Sequence, residues 1–116
     1  MKRHEVCKYL YDIHEASGLI EQFVAGKILE EYSADPLLRS GVERQFEIIG
    51  EALNQALRVD PDLAQSITDP GLIIAFRNRL IHGYASIADE VVWGVIEKKL
   101  PVLHREVEML LDKTDL

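Results

Sequence analysis

The sequence predicts an all-α fold, an antiparallel bundle of four main helices that pairs with a second copy of itself. Two observations carry the helical part. Apolar residues recur at steps of three and four along most of the chain, and no stretch alternates apolar and polar residues at the period of a strand. The first three periodic segments are separated by Asp-Pro pairs, which break helices and favour new starts. The third observation is size: 116 residues with 47% hydrophobic content suit one domain, spanning 1–116. A helical core this small gains from burying further apolar surface against a partner, which makes a homodimer the expectation.

The first stripe is Val6, Leu10, Ile13, Ser17, Ile20, Val24 and Ile28, which predicts one long helix from about residue 4 to about 31. Ala34-Asp35-Pro36 ends it, because the residue before proline is pushed out of helical geometry, and Asp35 or Pro36 suits the next start. The second helix is expected over roughly 37 to 58, with Val42, Phe46, Ile49, Leu53 and Leu57 on one face. Gly50 lies in its middle. An interior glycine costs about 1 kcal/mol relative to alanine, so its presence predicts close approach of another helix.

Asp60-Pro61-Asp62 and Asp69-Pro70-Gly71 bracket a loop with room for one helical turn. A short third helix follows from about 71 to 82, its apolar face Ile73, Phe76 and Leu80, with Gly83 placed to end it. Asp89 is the expected N-cap of a last helix reaching about 113, with the stripe Val92, Ile96, Leu100, Leu103, Val107 and Leu110. Pro101 falls inside it. Proline removes an amide donor and clashes one turn back, which predicts a bend near 97–100 and not two separate helices.

Composition narrows the function classes. The chain carries 20 Asp and Glu against 13 Lys and Arg, a formal charge of -7, which argues against a general nucleic-acid coat. Any polyanion must be met locally. Cys7 is the only cysteine, so neither an intrachain disulfide nor a cysteine metal cluster can form, and a reducing cytoplasm is the expected compartment. No apolar run approaches the length of a membrane span or a secretory leader, which predicts a chain that is neither exported nor membrane-bound.

One segment departs from this acidic background. Between Pro70 and Ala88 there are 19 residues without a carboxylate, and they contain Arg77-Asn78-Arg79-Leu80-Ile81-His82-Gly83-Tyr84. No near neighbour in sequence neutralises Arg77 and Arg79, so the segment is a candidate anion site. Arg77 and His82 are five residues apart, about 140° of rotation and about 7.5 Å of rise on a helix. A long arginine and a histidine at the fraying end can converge on one phosphate, the guanidinium holding oxygens and the imidazole moving a proton. That division of labour suits cleavage of a phosphodiester without metal or cofactor. Spacing alone leaves other readings open: Arg77 pairing with Glu47 or Glu51 across the bundle, His82 capping helix carbonyls, and Tyr84 filling a core or interface.

The remaining polar residues read more plainly. His4, His14 and His104 lack metal-ligand spacing and are assigned to solvated faces. Glu47 and Glu51, one turn apart, read as ion-pair partners ahead of a cation site. Glu97-Lys98-Lys99 and Arg105-Glu106-Val107-Glu108 read as exposed helix charge, and Trp93 as core or dimer interface.

Arg77 directly followed by Asn78, then His82 and Tyr84, resembles the signature of HEPN domains, specifically of HepT-like toxins. Arg44-Gln45-Phe46-Glu47-Ile48-Ile49-Gly50-Glu51-Ala52 is similar to the second-helix segment of that family, and Val92-Trp93 with Leu100-Pro101 to its last helix; the resemblance covers roughly residues 5 to 112. It implies a HEPN-like homodimer in which two copies of the motif face each other across a cleft, a composite ribonuclease site cleaving RNA, with tRNA among the substrates considered. On that resemblance Arg77 holds the scissile phosphate, His82 transfers the proton as the ribose 2′-hydroxyl attacks, Asn78 orients the arginine or the substrate, and Arg79 binds substrate. It further implies a minimal nucleotidyltransferase as antitoxin partner, which transfers AMP to Tyr84, within a larger hetero-oligomer. The alternative is a catalytically silent HEPN module that binds a nucleotide or serves mainly as the transferase's partner.

Overall fold

The computed structural model describes residues 2–82 and 87–114. The described residues form α1 (Lys2–Val24), α2 (Leu29–Ala34), α3 (Pro36–Val59), a 3-10 turn (Pro61–Gln65), α4 (Pro70–His82), α5 (Asp89–Gly94) and α6 (Leu100–Thr114), with a π-helical turn (Val95–Lys99) joining the last two. There is no strand among them, and the predicted all-α fold is what the chain adopts. α1 packs along both α3 and α6, while α4 packs chiefly on α3.

The three stripes meet in one core. Leu10, Ile13 and Ile20 of α1, Val42, Ile49 and Leu53 of α3, and Val92, Leu100 and Val107 of the α5–α6 segment are all essentially inaccessible. Burying an aliphatic side chain of this kind contributes roughly 1.5–3 kcal/mol each, so these residues fix which faces touch. Ser17 lies on the α1 stripe as expected and is fully buried, but its hydroxyl has no partner among the described residues.

The first helix stops earlier than its stripe suggests. α1 ends at Val24, where Gly26 takes φ +72 and Lys27 N–H donates back to the Val24 carbonyl at 2.9 Å. A left-handed residue of this kind terminates a helix, and glycine adopts it without steric cost. Ile28, counted in the stripe, is 57% exposed and instead precedes the short α2, its N–H donating to Glu31 Oε1 at 3.0 Å. α2 buries Tyr32, whose ring lies 5.5 Å from that of Trp93.

The Asp-Pro junctions behave as read. The Asp35 carboxylate accepts from Leu38 N–H at 3.1 Å, with Pro36 as first residue of α3. A cap of this type contributes about 1 kcal/mol. At the last helix Ala88, not Asp89, is the N-cap; Asp89 is the first helical residue, where its charge still complements the helix dipole. Pro101 produces the expected irregularity by a specific device. Proline has no N–H to offer one turn back, and the helix widens into the π turn, in which Leu100 N–H donates to the Val95 carbonyl.

α4 differs from the rest. It has no fully buried residue, and its partly buried Ile73, Phe76 and Leu80 rest against the core through contacts such as the edge-to-face Phe46–Phe76 pair at 5.1 Å. Glu106 braces its N-terminal approach, accepting from Thr68 N–H at 2.9 Å and Thr68 Oγ1 at 2.7 Å, so this part of the 105–108 run does more than cover solvent-facing helix. The expected end of α4 at Gly83 lies outside the described residues.

Candidate active site

Gly50 and Arg77 explain each other. A Cβ built at Gly50 would overlap the Cβ and Cγ of Arg77 and reach Cδ at 3.3 Å. The expected helix crossing at this glycine is therefore made by α4, and the first atoms of the Arg77 side chain lie in the groove a larger residue would fill. The stem is pressed onto α3 and the guanidinium emerges at a defined place. Arg77 Nη2 donates to Glu51 Oε2 at 2.8 Å and Nη1 to Asn78 Oδ1 at 2.8 Å, while Nε is buried without a partner. Gln55 Nε2 donates to the other oxygen of Glu51 at 3.3 Å.

This arrangement settles one reading and corrects another. The Glu51 pairing foreseen as an alternative is present, and Asn78 accepts a hydrogen bond from the arginine. The nineteen-residue carboxylate-free stretch does not leave Arg77 unneutralised, because Glu51 arrives from α3, 26 positions away in sequence. With a side-chain exposure of 20% for Arg77 and 44% for Glu51, the pair is screened less than a fully exposed one. A guanidinium has five N–H donors. Those bonds use one N–H on each Nη and Nε is buried, so the second N–H of each Nη is what remains to meet an anion.

The guanidinium lies at a cleft of about 400 Å³ lined by Tyr9 and Asp12 of α1, Arg44, Glu47 and Glu51 of α3, and Ile81 of α4. Arg44 Nη1 is 3.3 Å from Glu47 Oε1, so both glutamates of the α3 pair have arginine partners. His82 is the last residue of α4 and is exposed. It does not line the cleft, whereas Ile81, on the Arg77 face one turn on, does. Within one protomer the structure thus brings together Arg77, Asn78 and Glu51 but does not bring His82 into that cleft. Arg79 lines a different cavity, beside α6. Tyr84 lies outside the described residues.

Elsewhere two expectations change. His14 and His104 do not stand apart on solvated faces: α1 and α6 bring their rings to 4.7 Å, with His14 Nε2 3.4 Å from Glu108 Oε1 and His104 Nδ1 2.9 Å from Glu21 Oε1. Positions 90 apart in sequence carry no spacing signal, so only the fold reveals the pair. Glu51 is the residue that sequence reasoning undervalued. Its signal was its place next to Gly50, one residue after the point where another helix had to cross.

The HepT-like family, described as ribonuclease HepT-like, matches residues 13–110. A protein of Thermococcus cleftensis named "Probable ribonuclease HepT" is 34% identical over 107 residues, covering 88% of this chain and 92% of its own. Proteins of Caldanaerobacter subterraneus subsp. tengcongensis (32% identity, 87% of this chain and 88% of the relative) and Methanocaldococcus jannaschii (28%, 95% and 100%) bear names that provisionally assign them as RNases. No solved structure matches. Among the described residues no helix is long and apolar enough to cross a membrane. With residues 13–110 matched by the family and a relative 34% identical over 88% of the chain, the chain belongs to the HepT-like ribonuclease family.

Proposed function

We propose that this ribonuclease is the toxin of a toxin–antitoxin pair, a metal-independent endoribonuclease whose working site forms between two copies of the chain. The observation that carries the reading is the Arg77 guanidinium, fixed by Gly50, Asn78 and Glu51 at the edge of an open cleft, with the exposed imidazole of His82 outside that cleft. A second copy placed against α4 would supply the imidazole that one protomer's cleft lacks. It would also add cations where Asp12, Glu47 and Glu51 leave the cleft poorly suited to RNA on its own.

In this mechanism Arg77 holds the non-bridging oxygens of the scissile phosphate by paired, charge-assisted hydrogen bonds. The ribose 2′-oxygen attacks phosphorus as the partner's His82 takes its proton; the bond from phosphorus to the 5′-oxygen breaks, and that oxygen leaves with a proton from water. The products are a 2′,3′-cyclic phosphate and a free 5′-hydroxyl. Asn78 and Glu51 act as positioning residues through Arg77. AMP transfer to Tyr84, two positions after His82, by a minimal nucleotidyltransferase would put a phosphate and a base beside this site and block it.

The test is incubation of the unmodified chain with total tRNA in excess EDTA, alongside Arg77→Ala and His82→Ala. Cleavage by the parent with cyclic-phosphate ends, lost in both variants while helicity is retained, is expected. Cleavage at the parent rate by either variant would refute the mechanism, and no cleavage by any of the three would favour the silent binding module.

A further inference from the structure

The cavity on the other side of α4 has the composition of a ligand site. It encloses about 360 Å³ between α4, the π turn and α6, and its walls include Phe46, Ile73, Phe76 and Leu103. This volume lies in the range of small-molecule pockets, which are mostly apolar with a few placed polar groups. Here the placed groups are cationic: Arg79, Lys98 and Lys99 all line the cavity, against one carboxylate, Asp69. Asp69 is already 3.8 Å from Lys99 Nζ. Arg79 and Lys98 have no carboxylate partner among the described residues, in a chain whose formal charge is -7.

The cavity exists because of two sequence features. α4 rests mainly on α3 and does not close onto α6. The π turn before Pro101 places Lys98 and Lys99 on the cavity side together with Val95. An apolar chamber with unpaired cations at its edge is complementary to an ion that is apolar at one end and anionic at the other.

We propose that this cavity binds a small amphiphilic carboxylate, its apolar body among Phe46, Ile73, Phe76 and Leu103 and its head on Arg79 and Lys98. Arg77 and Arg79 are two residues apart, about 200° around the helix, so the ligand presses on α4 from the side opposite the Arg77 cleft. An occupant bridges α4 to α6 and holds the Arg77-bearing helix against α3. The site is separate from the RNA cleft and does not depend on the catalytic reading.

Isothermal titration calorimetry of the intact chain with decanoate, kept monomeric, tests this directly. Saturable binding is expected, weakened at least tenfold when decanoate is replaced by decanol or decyltrimethylammonium, and weakened similarly by Lys98→Glu. Ala75→Trp, at an exposed cavity-lining position of α4, should abolish it by obstructing the chamber. Equal binding of decanol, or an unchanged affinity in Lys98→Glu, would overturn the assignment of the head group. Absence of decanoate binding would overturn the site, as would binding to anionic lipid vesicles alone, which would mark a membrane-facing patch.

Discussion

Substituting alanine for two glycines should give opposite signs in this protein. Gly18 and Gly50 are both interior helical positions, and in each case alanine removes the backbone entropy penalty of glycine, a gain of about 1 kcal/mol. At Gly18 nothing outside the adjoining residues and the helix's own backbone lies within 4 Å of the new Cβ, so the gain should appear in full. At Gly50 the same atom lands on Cβ and Cγ of Arg77. These are the root of a side chain and cannot swing aside, so α4 must move. Overpacking of this kind costs about 1–3 kcal/mol, leaving Gly50→Ala between neutral and about 2 kcal/mol destabilised. At roughly 4 °C per kcal/mol for a domain near this size, Gly18→Ala should melt a few degrees above the parent and Gly50→Ala up to about 8 °C below it. Because the moving part is the stem of Arg77, Gly50→Ala should also lose RNA cleavage out of proportion to stability, measured well below its melting temperature. A Gly50→Ala protein that gains stability like Gly18→Ala and cleaves at the parent rate would refute the claim that this glycine seats the arginine.

Three further outcomes are expected. Glu51→Ala should lower RNA cleavage about tenfold, equivalent to ~1.4 kcal/mol of lost positioning, while Glu47→Ala changes it little; equal effects in a cleavage assay would show that only cleft charge matters. Burial holds the Glu43 carboxyl above the usual carboxylate range, with Arg39 opposing and Asp89 and Glu47 adding to the rise. A raised folded-state pKa means stability that is full below the unfolded value and lost as pH climbs through the folded one, so Glu43→Gln should raise the melting temperature at pH 7 and not at pH 3. An equal difference at both pH values would rule out ionisation as the cause. Tyr84→Phe should fold normally and refuse AMP from a cognate transferase, as read by intact mass; AMP on that variant would place the modification elsewhere.

What the sequence disclosed and what it hid divide along a physical line. Helix existence, the Asp35-Pro36 start and the Pro101 irregularity were legible because each depends on residues within one or two turns of one another. The end of α1 was also local, since Gly26 sits where the helix stops, but the stripe running on through Ile28 masked it. Period alone does not say whether the last apolar residue faces the core. The Arg77 motif stood out in the sequence, and its charge balance did not, because Glu51 lies on another helix.

That last point bears on how the site works. Arg77 in the isolated protomer is already half committed: one N–H to Glu51, one to Asn78, and Nε buried without a partner. In the proposed mechanism an incoming phosphate would therefore not have to order a free side chain, which spares the rotamer entropy of a long arginine, roughly 1.5–2 kcal/mol. It would instead share the guanidinium with Glu51, which weakens ground-state attraction for RNA. Under the proposed mechanism a site built this way would bind its substrate modestly and position it well, and an acidic chain could carry it because one fixed cation, not a basic surface, would meet the phosphate. The same economy makes the site sensitive to small displacements of α4, since the helix that carries Arg77 rests mainly on α3 and its register there is set by the absence of a single methyl group at Gly50.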